Sequence, residues 1–164
     1  WSSDVCSSDL MARTIALLRH GKASGQAPDA LLLPEGRAHL HRLGRHLASE
    51  GWRPQRIVTS PYRRALETAA LVGDLLGLSE PVTTLSDLVP ESEPDDALAA
   101  VLATIDEADP VLVVAHLPLL DRLLHDLTGE FPGFAPGTFA EVELDGTRRG
   151  RLRRTLHASD LPLA

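Results

Sequence analysis

Three short runs in this sequence are apolar at consecutive positions rather than alternate ones: Thr14–Arg19 (TIALLR), Arg56–Ser60 (RIVTS) and Val111–His116 (VLVVAH). Successive side chains of a strand point to opposite faces, so a strand with one wet face alternates. A strand that is apolar at every step must be covered on both sides, as in a parallel sheet between two layers of helices. Pro81–Leu85 adds a weaker fourth candidate through Val82, Thr83 and Thr84.

Between these runs the period changes to that of a helix. Leu40, Leu43 and Leu47 share a face within Pro34–Glu50, and Ala65, Ala69, Val72 and Leu76 do so within Pro61–Leu76. Leu98, Val101, Leu102 and Ile105 mark a third helix, and Leu119, Leu120, Leu123, Leu124 and Leu127 a fourth. Pro34, Pro61 and Pro118 stand where first turns are expected, since that position tolerates a missing N–H. Gly51, Gly77 and Gly129 stand where the helices should stop.

Strand and helix thus alternate four times. The expected fold is an α/β three-layer sandwich with a mostly parallel central sheet, right-handed crossovers and helices on both faces. The tail changes character. Ala140–Leu144 and Arg151–Leu156 alternate around a hairpin signal at Asp145-Gly146, so a C-terminal antiparallel β extension is expected at the sheet edge. Glu130–Thr138, rich in Pro, Gly and Phe, is expected to be a loop.

Composition enters through its exclusions. With a formal charge of −7 and no basic run, the surface repels phosphate backbones, and nucleic acid is not an expected partner. No apolar stretch approaches the roughly 20 residues of a membrane span. The first ten residues, WSSDVCSSDL, fit neither the domain nor a signal peptide, and are expected to be a non-native translated adaptor preceding Met11. Without Asp4 and Asp9 the formal charge becomes −5, and Cys6, the only cysteine, is lost too. Residues 11–164 are then expected to form a single cysteine-free domain at a cytoplasmic address.

Ligands of open α/β sheets bind beyond the carboxyl ends of the parallel strands. There the first run ends in Arg19-His20-Gly21-Lys22, the second is followed by Arg63 and Arg64, and the third ends in His116. Each piece has an ordinary structural reading, a hydrogen-bonding histidine or a solvated helix face. Two histidines and three arginines from three distant segments meeting at helix N-termini point to an anion site, and arginine forks suit phosphate. Metal is disfavoured, because arginines beside both histidines repel a dication and no carboxylate adjoins them in sequence. A neutral imidazole is a competent nucleophile towards phosphorus, and adjacent arginines would keep His20 unprotonated by repulsion.

These residues carry a resemblance. LLRHGKA resembles the Arg-His-Gly signature of the histidine phosphatase superfamily. SPYRRALETA is similar to its second arginine motif, which points to Arg64 rather than Arg63, and VLVVAHLPLLDRLL is similar to the segment bearing its second histidine. Order and spacing most resemble the small SixA-like phosphohistidine phosphatases, with a phosphoglycerate mutase-like fold. The resemblance implies that His20 is the nucleophile and carries the phosphoryl group, while Arg19, Arg64 and His116 hold the non-bridging oxygens. It implies a metal-independent, cofactor-free phosphatase. The expected substrate is a phosphohistidine on a protein, with a small phosphomonoester as the alternative and a non-catalytic phosphate-binding module as a third reading.

Family members place a carboxylate to protonate the leaving group. In the matching loop, Leu85–Pro94, Asp87 is the first candidate and Glu91 the second, each equally readable as part of an acidic solvated loop. Lys22 and Ser24 are further candidates for the phosphate pocket. Two departures stand out: Leu31-Leu32-Leu33-Pro34-Glu35-Gly36 lacks the usual Ser or Thr helix cap, and Ala115 replaces a frequent hydroxyl before the second histidine. His39, His41 and His46 are expected to be surface residues, and Trp52 and Phe134 edge packing or a rim of the site. The stretch from Gly77 to Pro94 is too short for the helical lid of larger members.

Overall fold

The computed structural model describes residues 12–146 and 148–162, so the first ten residues and their proposed foreign origin lie outside it. The parallel strands are β1 (Arg13–Arg19), β2 (Arg56–Thr59), β3 (Thr83–Thr84) and β4 (Val111–Ala115). Helices α1 (Pro34–Ser49), α2 (Arg63–Leu75), α3 (Pro94–Ile105) and α4 (Leu119–Thr128) follow them in turn. Strands β5 (Thr138–Leu144) and β6 (Gly150–His157) come after α4, and a 3-10 turn (Ala158–Asp160) follows β6. The sheet order is β3-β2-β4-β1-β5-β6. β1, β2, β3 and β4 pair in parallel, and β5 and β6 extend the free side of β1 antiparallel.

The unbroken apolar strands are explained by two cores, one on each face. Ile15 and Leu17 of β1, with Val111 and Val113 of β4, pack against α3 and α4 through Val101, Ile105, Leu120 and Leu124. Ala16 and Leu18, with Leu112 and Val114, pack against α1 and α2 through Leu40, Leu43, Leu47, Ala69 and Val72. Burying each large side chain contributes about 1.5–3 kcal/mol, so the sandwich rests mainly on these two layers. Among the described residues, no helix is long and apolar enough to cross a membrane.

Several boundaries differ from expectation. β3 keeps only Thr83–Thr84, where β2 offers it a short edge to pair with. Only Pro34 begins a helix as anticipated, following Leu33 with no side-chain cap. Pro61 lies before the cap residue Tyr62, because the Ser60 hydroxyl takes the Tyr62 N–H in a turn preceding α2. Pro118 is itself the cap of α4. Gly51, Gly77 and Gly129 all have positive φ just past their helices, the left-handed exit that glycine makes at least cost. The β5–β6 hairpin runs over residues 145–149, longer than a two-residue turn.

Candidate active site

Strand register builds the site. Arg19 pairs with Ala115 across β1 and β4, so the residues that follow, His20 and His116, leave the sheet side by side. Their ring centroids lie 5.0 Å apart. Thr59 pairs with Val114, which puts Ser60 beside His116 on the other flank. The first turn of α2 then delivers Arg64. Two histidines far apart in sequence are thus neighbours only because three parallel strands end at one level.

Each ring is held through specific atoms. His20 Nδ1 lies 2.7 Å from the Gly21 carbonyl oxygen, to which it donates, and Arg64 Nε donates to His20 Nε2 at 3.1 Å. Both contacts require the same tautomer, with the proton on Nδ1 and the lone pair on Nε2. Arg64 is 3% exposed, and its Nη1 donates to the carbonyls of Gln26 and Ala27 at 3.3 and 2.9 Å. Its guanidinium lies 5.1 Å from the centre of the Tyr62 ring. Arg19 Nη1 donates to the Phe134 carbonyl at 2.7 Å.

Burial tunes the titration of both histidines. His20 is pushed down to about 4, first by burial and then by Arg64 and Arg19, against the opposing Gly21 hydrogen bond. Repulsion by the arginines, expected to be the main cause, is secondary because the ring is so little exposed. His116 is pushed down to about 3 by burial, then by His20 and the same two arginines. Burial also lowers Arg19, which Asp121 opposes, and Arg64. Both rings are therefore neutral at pH 7 while the guanidinium groups stay charged.

These residues line a cavity of about 170 Å³ together with Lys22, Ala23, Gly25, Gln26, Leu117 and Pro136. Arg19, Lys22 and Arg64 supply positive charge, and no carboxylate is among the described lining residues. A cationic, partly desolvated hollow of that size fits a tetrahedral oxyanion. A larger hollow, about 660 Å³, opens at the opposite edge of the sheet beside Arg13, Asp109 and Arg148. Of its charged groups, Arg13 donates to the Ala108 carbonyl and Asp109 accepts the Thr14 N–H.

Not every expected residue joins. Arg63 points outward and pairs with Glu67 at 3.8 Å. Lys22 lines the cavity, but its ammonium group sits 3.0 Å from Glu35 Oε2. Ser24 instead ties its own loop, its hydroxyl accepting from the Leu31 N–H. Asp87 is exposed in a 3-10 turn (Ser86–Leu88), and neither it nor exposed Glu91 lines the cavity. Asp87 does stand at the same sheet edge, since the Leu85 N–H bonds to the Thr59 carbonyl two residues earlier. Phe134 is buried and supports the site through its backbone, whereas Trp52 packs edge-on against Phe139 at 5.2 Å.

Sequence patterns alone missed several residues that hold the site. Thr68 accepts the Gly21 N–H at 3.1 Å and donates to the Arg64 carbonyl at 2.7 Å. Glu67 accepts from the Leu32 N–H and from Arg37, both at 2.9 Å. One helical turn after Arg64, these two side chains clamp both ends of the loop that rims the cavity. Helical spacing of three and four from Arg64 is the signal that could have found them. Gly36 completes the clamp, because a Cβ there would collide with the Lys22 carbonyl oxygen.

Residues 15–89 match the family model described as histidine phosphatase superfamily (branch 1). The phosphohistidine phosphatase SixA of Escherichia coli is 29% identical over 156 residues, 92% of this chain and 97% of that protein. A structure of the protein histidine phosphatase SixA complexed with tungstate superposes with a TM-score of 0.83 at 28% identity, covering 90% of this chain and 98% of that one. A mycobacterial glucosyl-3-phosphoglycerate phosphatase shares the fold, with a TM-score of 0.64 at 21% identity over 93% of this chain and 99% of that one.

Proposed function

We propose that the chain is a member of the histidine phosphatase superfamily in which His20 is the nucleophile of a phosphatase that acts on phosphohistidine in a protein, a reading supported by the match over residues 15–89 and by the similarity to a phosphohistidine phosphatase. The observation that carries this reading is the paired tethering of His20, with its proton on Nδ1 and its lone pair on Nε2 beside Arg64. Nε2 attacks phosphorus in line, and a new P–N bond forms as the bond to the leaving group breaks. The leaving group departs with the electron pair and takes up a proton. Positive charge arising on His20 is stabilised by the Nδ1–H bond to the Gly21 carbonyl. Arg19, Arg64 and His116 bind the non-bridging oxygens. Water then attacks phosphorus, the P–N bond breaks, its electrons return to Nε2, and inorganic phosphate leaves.

We assign Asp87 to proton delivery for leaving groups that need it, and treat it as dispensable for a departing imidazole, which is itself readily protonated. Lys22 is assigned a rim contact with substrate phosphate once it releases Glu35. The chain is taken as one domain without a lid insertion, since it runs directly from Leu76 to β3 and from Leu85 to α3. An uncovered site suits a phosphohistidine presented on a protein surface. Tungstate is a tetrahedral oxyanion, and its complex with a relative supports oxyanion binding here. With an acidic overall balance, neither nucleic acid nor membrane is proposed as a partner, and the address assigned is cytoplasmic.

A second reading, a phosphatase of small phosphomonoesters, is favoured by the polar rim of Lys22 and Gln26, which can bond to hydroxyl groups. A substrate panel separates the two. Faster release of phosphate from phosphohistidine proteins than from sugar phosphates is expected, and the reverse order selects the second reading.

A further inference from the structure

Ser60 follows β2, is fully buried, and places its hydroxyl 2.7 Å from His116 Nε2. The roles in that contact follow from the other partners of the hydroxyl. Its oxygen already accepts the Tyr62 N–H at 3.2 Å. Among the described residues, His116 Nε2 is the hydroxyl's only acceptor in hydrogen-bond contact. A buried hydroxyl whose proton goes unused loses about 1–3 kcal/mol, so donation to Nε2 is the arrangement that satisfies it. The short separation agrees, since hydroxyl donors make closer contacts than ring N–H donors.

A neutral ring that accepts at Nε2 must carry its proton on Nδ1. His116 Nδ1 is buried and has no hydrogen-bond partner among the described residues, on a residue that lines the cavity. The Tyr62 ring, 5.0 Å from that of His116, closes the flank and is itself fixed by the turn at Ser60. We infer that Ser60 is a positioning residue that holds His116 as the Nδ1–H tautomer, so that a neutral imidazole presents a donor to a phosphoryl oxygen. In the other tautomer Nδ1 would present a lone pair to the same anion and repel it. This inference rests on the phosphatase reading for its consequence, but the tautomer itself does not depend on it.

The test is a two-bond proton–nitrogen correlation spectrum of the free protein with nitrogen-15-labelled histidine at pH 7, with His116 identified by the signals lost in His116→Gln. The expected pattern is protonated Nδ1 and bare Nε2, and protonated Nε2 overturns the inference. In Ser60→Ala the ring should shift towards a mixture of tautomers, with kcat/KM for p-nitrophenyl phosphate falling about 10-fold, less than the roughly 100-fold cost of losing a whole anion-binding donor. A folded Ser60→Ala protein with an unchanged ring pattern overturns it as well. Should that variant not fold, the wild-type spectrum decides alone. Failure of wild-type protein to release phosphate would remove the phosphatase reading, while the spectrum would still decide the role of Ser60.

Discussion

Arg64 Nε donates to His20 Nε2 across 3.1 Å, so the guanidinium group occupies the lone pair that would attack phosphorus. In the proposed mechanism an arriving phosphoryl group would compete for the same N–H, and by taking it would free the lone pair that attacks it. Arg64 would thereby couple substrate binding to exposure of the proposed nucleophile. A second of its three nitrogens, Nη1, is anchored by the Gln26 and Ala27 carbonyls, which limits how far the side chain can swing.

Replacing this residue should therefore be costly even when charge is kept. Arg64→Lys cannot donate from one planar group to both the ring and the loop. A loss of about 100-fold or more in kcat/KM is expected for Arg64→Lys and Arg64→Ala alike, measured with p-nitrophenyl phosphate. A lysine variant within threefold of wild type would show that a point charge suffices.

Both buried histidines make stability depend on pH. An unfolded histidine titrates near 6.5, while His20 is held down at about 4 and His116 at about 3. Between those values the unfolded chain binds more protons than the folded one, so acid favours unfolding. Stability is complete above about pH 6.5 and falls as pH drops towards 4. A tenfold difference in proton affinity between the two states is worth about 1.4 kcal/mol, so the loss between pH 7 and pH 4 should reach a few kcal/mol. Urea midpoints across that range should show it, with a shallower dependence in His20→Asn.

Thr68 tests the support beneath His20. Thr68→Val keeps the shape but leaves the buried Gly21 N–H without its 3.1 Å partner. A cost of about 1–3 kcal/mol is expected, read as a lower Tm. Activity should fall with it, because the Gly21 carbonyl that orients His20 belongs to the same loop.

The role proposed for Asp87 would separate two kinds of leaving group. Asp87→Asn should slow hydrolysis of an alkyl phosphate by about 100-fold, the low end for general acid catalysis, while p-nitrophenyl phosphate and phosphohistidine stay within threefold. Equal loss on all three substrates would instead make Asp87 a structural residue of its turn.

How far the sequence reaches is clearest in these side chains. The apolar runs at β1, β2 and β4 identify a doubly covered sheet because burial on both faces admits no other pattern. The same runs locate Arg19, His20 and His116, which end or follow strands. Arg64 could be separated from Arg63 only through the resemblance, since adjacent helix positions look alike until the neighbouring strand is placed. Ser60, Thr68 and Glu67 stayed hidden because their partners lie on other elements, in contacts set by strand register and helix rotation. Lys22 carries the right charge, yet its ion pair with Glu35 depends on how α1 meets the loop. The dominance of burial in lowering the His20 pKa is likewise a tertiary effect that no local pattern reports.

The proposed chemistry turns on His20 carrying the phosphoryl group. Trapping addresses this without intermediaries: incubation with labelled phosphoramidate, rapid denaturation, and mass mapping of the protein. An acid-labile, alkali-stable label on His20, absent from His20→Ala along with turnover, is the result expected. Unchanged turnover by His20→Ala, or a label on another residue, would contradict it.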